Sequence, residues 1–366
     1  MGTTSSFFGG GGGSPLPEPE WLFQKSSYTY TFPYDGVVLV HVVGAGGSGA
    51  AQYNSHSATG GGAGGYSRKQ FTVTSSTTAT VTTGVGGAQT GQGNQQSAGN
   101  AGTASTFVLS STTLTANGGG GGSHTGSASN KGTGGSASGG DVNYTGGASG
   151  ARGGTYNDYG QATGGGAVNL FNLTTDGGSI TNGGRWCATG GGGVGGRGGN
   201  IGNNAYYQTT GGGGSAGAAD DILNSSNTNG ASCNGGPGGS RLFRFNGPFL
   251  NGQGGNPLRM FNYSASSYGF TFSPSSGAIG LGAGSGGMAA WEQNDEPMSI
   301  MLAQTAGIFG GGGGCFCGKH DGGQGGDATV GGGGGAHSYR QGDTNPQRHS
   351  GKGGQGVVII EYIERT

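Results

Sequence analysis

Five uninterrupted glycine runs, at residues 118–122, 190–193, 211–214, 310–314 and 331–335, set the terms on which this chain can fold. A residue without a Cβ adds nothing to a side-chain core, and inside an ordinary helix or strand it costs about 0.5–1 kcal/mol relative to Ala. Glycine supplies 98 of the 366 residues, far more than an ordinary enzyme scaffold carries. The runs hold no strict Gly-X-Y register, which excludes a collagen triple helix. They suit threefold extended helices of polyproline II geometry, here termed polyglycine II. In these the backbone N–H and C=O groups bond between helices rather than within them. A helix of pure glycine can be surrounded on all sides, so the long runs are expected at the centre of such a bundle. Its stability would come from many inter-helix hydrogen bonds of about 0.5–1.5 kcal/mol net each.

Glycine richness also accompanies disorder, but disordered chains are poor in aromatics and rich in charge. This chain carries 3 Trp, 14 Tyr and 15 Phe with only 8% charged residues. An ordered structure is therefore expected. The net charge of −1 leaves no basic surplus for nucleic acid or an anionic membrane surface. The first residues have neither a basic segment nor an apolar stretch of signal-peptide length, so synthesis without a secretory leader is expected. The densest apolar runs, residues 37–43 and 357–363, are too short to span a bilayer. Gly2 with Ser6 fits the loose myristoylation pattern, but no second membrane signal lies nearby.

Three regions follow. Residues 1–21 form an extended arm in which Phe7 and Phe8, five glycines and a Pro-rich stretch precede Trp21. Such a segment has no core of its own and is expected to dock on a partner through Phe7, Phe8 and Trp21, the alternative being a loose terminus. Residues 22–117 with 356–366 contain the β-forming text: alternating Ser27-Tyr-Thr-Tyr-Thr-Phe32, the buried run 37–43, further strands at 66–74, 77–83, 105–109 and 113–116, and the apolar segment 356–364. The two chain ends are expected to meet in one β-sandwich-like module. Residues 118–355 are the glycine-rich region, interrupted by aromatic-bearing insertions at 141–161, 168–186, 201–210, 218–234, 240–276 and 288–309. Short helical turns are expected at 218–227 and 288–293. The fold class is thus mainly β plus a polyglycine II bundle, with almost no α-helix.

Motifs of catalysis are weak against this background. Gly44-Ala-Gly-Gly-Ser-Gly49 satisfies the dinucleotide fingerprint G-x-G-x-x-G, but no amphipathic helix follows and no acidic residue stands about 20 positions on. Residues 313–319 fail as a P-loop because His320 replaces the Ser or Thr that would meet magnesium. Gly213-Gly-Ser-Ala-Gly217 matches a nucleophile elbow without the strand that must precede it. Cys315-Phe-Cys317 with His320 and Asp321 has tighter spacing than structural zinc sites use. Metal ligation, disulfides joining Cys187 or Cys233 to that pair, and buried thiols all remain open, with synthesis in a reducing compartment favouring thiols. His41 is expected in the core. His56, His124, His320, His337 and His349 are scattered and have no acid–base partners, while Asp220-Asp221 and Glu292, Asp295 and Glu296 suit solvated loops. No enzyme activity, metal or cofactor is expected.

The aromatic insertions are the expected recognition elements. Tyr156, Tyr159, Trp186, Tyr206, Tyr207, Phe243, Phe245, Tyr263 and Tyr268 stand among Asn, Gln and Asp, as on a sugar- or protein-binding surface. The competing expectation is that they pack the loops onto the bundle.

Four segments in order, Val42-Val-Gly-Ala-Gly-Gly-Ser-Gly49, Thr59-Gly-Gly-Gly-Ala-Gly-Gly-Tyr66 with Phe71-Thr-Val-Thr74, Leu114-Thr-Ala-Asn-Gly-Gly-Gly-Gly-Gly122 and Gly351-Lys-Gly-Gly-Gln-Gly-Val-Val-Ile-Ile-Glu-Tyr362, resemble the glycine-rich domain proteins common among bacteriophage tail fibres and receptor-binding adhesins. The resemblance covers about residues 27–366, and the extracellular glycine-rich domain of anaplastic lymphoma kinase is similar in its glycine runs. It implies packed polyglycine II helices whose loops touch a host surface glycan or outer-membrane protein. It also implies a virion location, other virion proteins as partners through the N-terminal arm, and a homo-oligomer, with a trimer among the arrangements open to a fibre. The chain lacks the N-terminal attachment module of T-even-like adhesins. A capsid decoration or head-fibre protein and a non-viral ice-binding protein are the alternatives.

Overall fold

The computed structural model describes residues 16–23, 27–52, 57–91, 96–124, 130–153, 160–181, 187–203, 208–214, 217–224, 242–244, 250–251, 282, 284–285, 287–290, 301–302, 305–317, 323–339 and 349–365. Among them there is no α-helix, only β-strand, turns and extended backbone.

Nine of the ten early strands and one late strand make a two-sheet sandwich. The strands are β1 (Glu20–Leu22), β2 (Tyr28–Thr31), β3 (Gly36–Val43), β4 (Ala51–Gln52), β5 (Tyr66–Val73), β6 (Thr78–Thr82), β7 (Ser105–Leu109), β8 (Thr112–Ala116), β9 (Ala137–Ser138), β10 (Val142–Tyr144) and the closing strand Val357–Arg365. All but β4 belong to the sandwich. The first sheet has the order β1, closing strand, β3, β5, β10, and the second the order β2, β6, β7, β8, β9. The closing strand runs antiparallel between β1, with Trp21 opposite Ile359, and β3, with Ile359 opposite His41. Val38, Val40, Val42, Val358, Ile360 and Tyr362 face the second sheet and meet Tyr30, Phe32, Val81, Phe107 and Leu114 in the sandwich core. The alternate residues Val43, Tyr66, Val357 and Ile359 face the other way. There they meet Trp21, Val168, Leu170, Val194, Ile308, Phe309 and Val330, most of which sit on turns of the glycine-rich region. Burial on both faces from Val40 to Val43 and from Val357 to Ile360 explains why these stretches are almost continuously apolar rather than alternating, whereas Ile363 at the far end is exposed.

Beyond Val43 the chain enters a polyglycine II lattice, and the hydrogen bonds of residues 44–51 disclose its symmetry. The N–H groups of Gly44, Gly47 and Ala50 donate to Gly65, Gly62 and Thr59; those of Ala45, Ser48 and Ala51 donate to Thr103, Asn100 and Ser97; those of Gly46 and Gly49 donate to Gly354 and Gly351. Every third residue thus addresses the same neighbour, as a threefold helix requires. In return Gly119 and Gly122 donate to Ala45 and Ser48, Gly334 and His337 donate to Gly47 and Ala50, and Gly87 donates to Gly46. One extended segment therefore has six hydrogen-bonded neighbours. A Cβ on Gly47 would lie 2.2 Å from the Gly120 carbonyl oxygen, and one on Gly61 would lie 2.1 Å from that of Gly47. Only glycine lets the backbones approach so closely.

The same three-residue step builds parallel rows. Segments 130–136, 57–65, 160–168, 187–194 and 208–214 run back towards the sandwich, joined by bonds such as Gly166 to Gly61, Gly192 to Gly165 and Gly213 to Gly191. Segments 44–51, 332–339 and 311–317 run outward, joined by Gly334 to Gly47 and Gly312 to Gly333. The rows are antiparallel to one another, as Gly311 to Gly192 with Gly314 to Thr189 demonstrates.

Two expectations change. A boundary at residue 118 does not separate sandwich from lattice: residues 44–51 and 57–65 lie at the lattice centre, whereas β9 and β10 belong to the sheets. Each early β-hairpin is prolonged outward by glycine helices, so the two parts interleave along the chain. The helical turns expected at 218–227 and 288–293 are replaced, within the described residues, by strands Ile222–Asn224 and Met288–Ala290. These pair in parallel with Ile201–Asn203 and Cys315–Cys317, and ladder bonds override local helix preference.

Candidate functional site

Eight residue steps lead from Val43, the end of β3, to Ala51, about 25 Å at the polyproline II rise of 3.1 Å per residue. At this outer end glycine gives way to residues with side chains, which cannot be enclosed on six sides, and the lattice passes into short parallel strands. Ala51–Gln52, His337–Tyr339, Cys315–Cys317, Met288–Ala290 and Leu242–Arg244 form one parallel row, with Leu250–Asn251 antiparallel at its edge. Gln161–Ala162 pairs with Cys187–Ala188, and Met301–Leu302 with Gly323–Gln324.

Three devices hold this rim rigid. The fully buried Phe316 ring sits among Ala50, Ala58, Ala162, Ala188 and Ala336, closing the lattice with one aromatic plug. Below it, buried threonine hydroxyls splice adjacent segments. Thr163 accepts from the Gly60 N–H and donates to the Gly150 carbonyl; Thr189 does the same between Gly164 and Gly178, and Thr210 between Gly190 and Gly199. Finally, the buried Arg152 donates through Nη1 to the carbonyls of Ser57, at 2.6 Å, and His124, at 3.4 Å, tying three rim segments together. Burial lowers the pKa of this guanidinium from its ordinary value.

One side of the lattice carries a second ladder. The Ala151 N–H donates to Ser179 Oγ, the Ser179 N–H to Asn200 Oδ1, and the Asn200 N–H to Asp221 Oδ1. Asp221 also receives both terminal nitrogens of Arg197 at 2.6 Å. Burial pushes the Asp221 carboxyl up, but the Arg197 guanidinium and the Asn200 N–H outweigh it and hold the group below the usual carboxylate range.

The expected site residues distribute as follows. Trp21 is buried in β1, stacked on Phe23 and Phe309 at centroid separations of 6.1 and 6.0 Å, so its ring is committed to the chain's own core rather than presented for docking. The strand begins at Glu20, which shortens the expected arm. Phe243 stands in the rim strand Leu242–Arg244. Tyr156, Tyr159, Trp186, Tyr206, Tyr207, Phe245, Tyr263, Tyr268, Phe7 and Phe8 lie outside the described residues, as do Cys233, Lys319 and His320. The described residues flanking several of them do meet: Gln161, which follows Tyr156 and Tyr159, pairs with Cys187, which follows Trp186, and Ala188 bridges Thr209, which follows Tyr206 and Tyr207.

The fingerprint glycines 44–49 are wholly enclosed by the lattice, leaving no room for a dinucleotide against them. Among the described residues no three His, Cys, Asp or Glu side chains come together as a metal site, and no helix is long and apolar enough to cross a membrane. Cys187 and Cys315 are fully buried. The splicing threonines went unread in the sequence, although Ala58-Thr59-Gly60, Ala162-Thr163-Gly164, Ala188-Thr189-Gly190 and Thr209-Thr210-Gly211 each precede a glycine run and mark an internal repeat.

No curated protein matches the sequence. A family model described as a glycine-rich domain matches residues 23–256, which take in β2 to β10 and the lattice segments through 208–214 but not β1, the rows at 311–317 and 332–339 or the closing strand. With well over half of its length so matched, the chain belongs to the glycine-rich domain family.

Proposed function

We propose that this is a bacteriophage virion protein, a tail fibre or tail-tip adhesin that recognises the host cell surface without performing chemistry. The observation that carries this reading is that the lattice gathers the flanks of many separate insertions onto one rigid rim, about 25 Å from the sandwich. Several of these insertions hold tyrosines and tryptophan among Asn and Gln. Variable loops on a stiff scaffold are where binding function resides, and weak contacts repeated over several copies sum to firm attachment. The expected partners are a host glycan or outer-membrane protein at the rim and other virion proteins at the sandwich end, which both the residues preceding β1 and those at the end of the closing strand approach.

The ice-binding alternative is poorly supported, because the regularly placed Thr163, Thr189 and Thr210 hydroxyls are buried inside the lattice. The test is binding of purified protein to intact candidate host cells. A Tyr206→Ser/Tyr207→Ser variant and a deletion of residues 1–15 are run beside it. Binding that survives the deletion and is lost in the loop variant supports the adhesin. Absence of cell binding together with incorporation into particles that depends on residues 1–15 would leave a capsid decoration or head-fibre protein instead.

A further inference from the structure

The first sheet is assembled in an unusual order. β1 and β3, although close in sequence, do not touch as sheet neighbours; the closing strand, more than 300 residues later, lies between them. β1 is three residues long and pairs with that strand alone among the sheet strands. β1 is also held by the Trp21 ring on Phe23 and Phe309, by Leu22 in the sandwich core and by a bond from the Tyr30 hydroxyl to Glu20 Oε2 at 2.7 Å. A three-residue edge strand does not persist without the strand it pairs with. The second sheet differs, because β6, β7 and β8 pair with near neighbours in sequence and β7 and β8 form a tight hairpin.

Residues 357–360 also serve both cores at once. Val358 and Ile360 fill the sandwich, while Val357 and Ile359 fill the layer between the first sheet and the lattice turns. Without them both layers open along the same line, and β1 loses its ladder.

We infer that the closing strand is a latch: its insertion between β1 and β3 is what seats β1, and hence fixes where the segment preceding β1 leaves the body. The lattice, held by its own backbone bonds, does not depend on the latch. The inference stands apart from the function proposed above, since it concerns only how one segment is held.

Trp21 is the natural reporter. In the full chain, Trp186→Phe and Trp291→Phe leave it as the sole tryptophan. Val358→Asp/Ile360→Asp in that background places two carboxylates in the sandwich core and releases the strand. The latch predicts red-shifted, acrylamide-quenched Trp21 emission, with amide exchange in residues 161–168 and 187–194 unchanged. Trp21 remaining shielded would overturn it, and so would loss of lattice protection at the same time. A second measurement needs no substitution: native-state hydrogen exchange of the full chain in graded guanidinium. The Leu22 and Ile359 amides should open together, at lower denaturant than the Gly165 and Gly192 amides. Protection at Leu22 outlasting that at Ile359, or all four opening together, would refute the latch.

Discussion

Phe316 lies against Gly160 so closely that a Cβ at that position would sit 2.3 Å from its Cε2 atom. Gly160 also adopts φ +48°, a left-handed conformation that L side chains resist. Gly160→Ala is therefore expected to lower stability by about 2–4 kcal/mol, combining backbone strain with overpacking. Phe316→Ala, which empties the alanine collar, should cost about 3–5 kcal/mol. The two are not independent: removing the ring removes the clash, so the double variant should be more stable than the sum of the singles predicts. Chemical denaturation of the four proteins closes the cycle, and strict additivity would mean that the ring is not what excludes a side chain at 160.

The threonine splices predict a different asymmetry. Thr189→Val keeps the shape of the side chain but strips a partner from the Gly164 N–H and the Gly178 carbonyl, both buried. Two orphaned backbone groups in a low-dielectric interior should cost about 2–5 kcal/mol. Thr189→Ser, which retains the hydroxyl, should lose much less. Comparing denaturation midpoints of the two variants separates hydrogen bonding from packing, and equal losses would show that the methyl group matters instead.

What the residues disclosed in advance follows from where the physics is local. The runs 37–43 and 357–363 carry their own evidence of burial, and aromatic alternation at 28–32 does the same, so the sandwich strands were legible. Polyglycine II could be inferred from the absence of any Cβ to pack. The lattice register could not, because it is a relation between distant backbones: nothing in Gly47 names Gly62 as its acceptor or Gly334 as its donor. For the same reason residues 44–51 read as part of the β module and Ile222 as helix, although Ile180, Ile201 and Ile222 recur every 21 residues and meet in parallel. Beside a Pro-rich arm Trp21 reads as a docking residue, and its burial depends on partners far along the chain, Phe309 and the closing strand. The rim was legible as a set of insertions but not as one surface, since its unity comes from the splicing threonines and the Phe316 plug.

His41 supplies a pH prediction. Its Nδ1 lies 2.8 Å from the Tyr66 hydroxyl and its Nε2 3.7 Å from Glu361 Oε2. Burial lowers its pKa and outweighs the carboxylate, which acts to raise it. A histidine whose folded pKa is depressed binds protons more readily in the unfolded chain, so its effect on stability is absent above the unfolded value of about 6.5 and becomes destabilising as pH falls below it. The loss grows until the lowered folded value is reached. His124 and His349 are shifted in the same direction by burial and add to the trend. Denaturation midpoints should therefore fall between pH 7.5 and 5.5, with a shallower fall in His41→Gln. A midpoint that rises on acidification would mean that Glu361 holds His41 as a cation.

Asp221 titrates with the opposite history. It ends the side-chain ladder from Ala151 through Ser179 and Asn200, and its two oxygens meet both terminal nitrogens of Arg197. Because its folded pKa lies below the ordinary value, its contribution is present in full above the unfolded value of about 3.9 and is lost as pH falls through the folded one. Both side chains are partly exposed, so solvent screening limits the pair, and Asp221→Ala is expected to cost about 1–2 kcal/mol at neutral pH. Asp221→Asn keeps an acceptor for the Asn200 N–H and should recover part of that loss. The damage should also stay local, because the ladder lies on one side of the lattice while residues 44–51 are enclosed by six other segments. Hydrogen exchange should quicken at the Asn200 amide and then at Ser179, with the amides of Gly46, Gly47 and Gly49 unaffected. Quickening throughout the lattice would show that its rows open as one cooperative unit and that the ladder is part of what holds them closed.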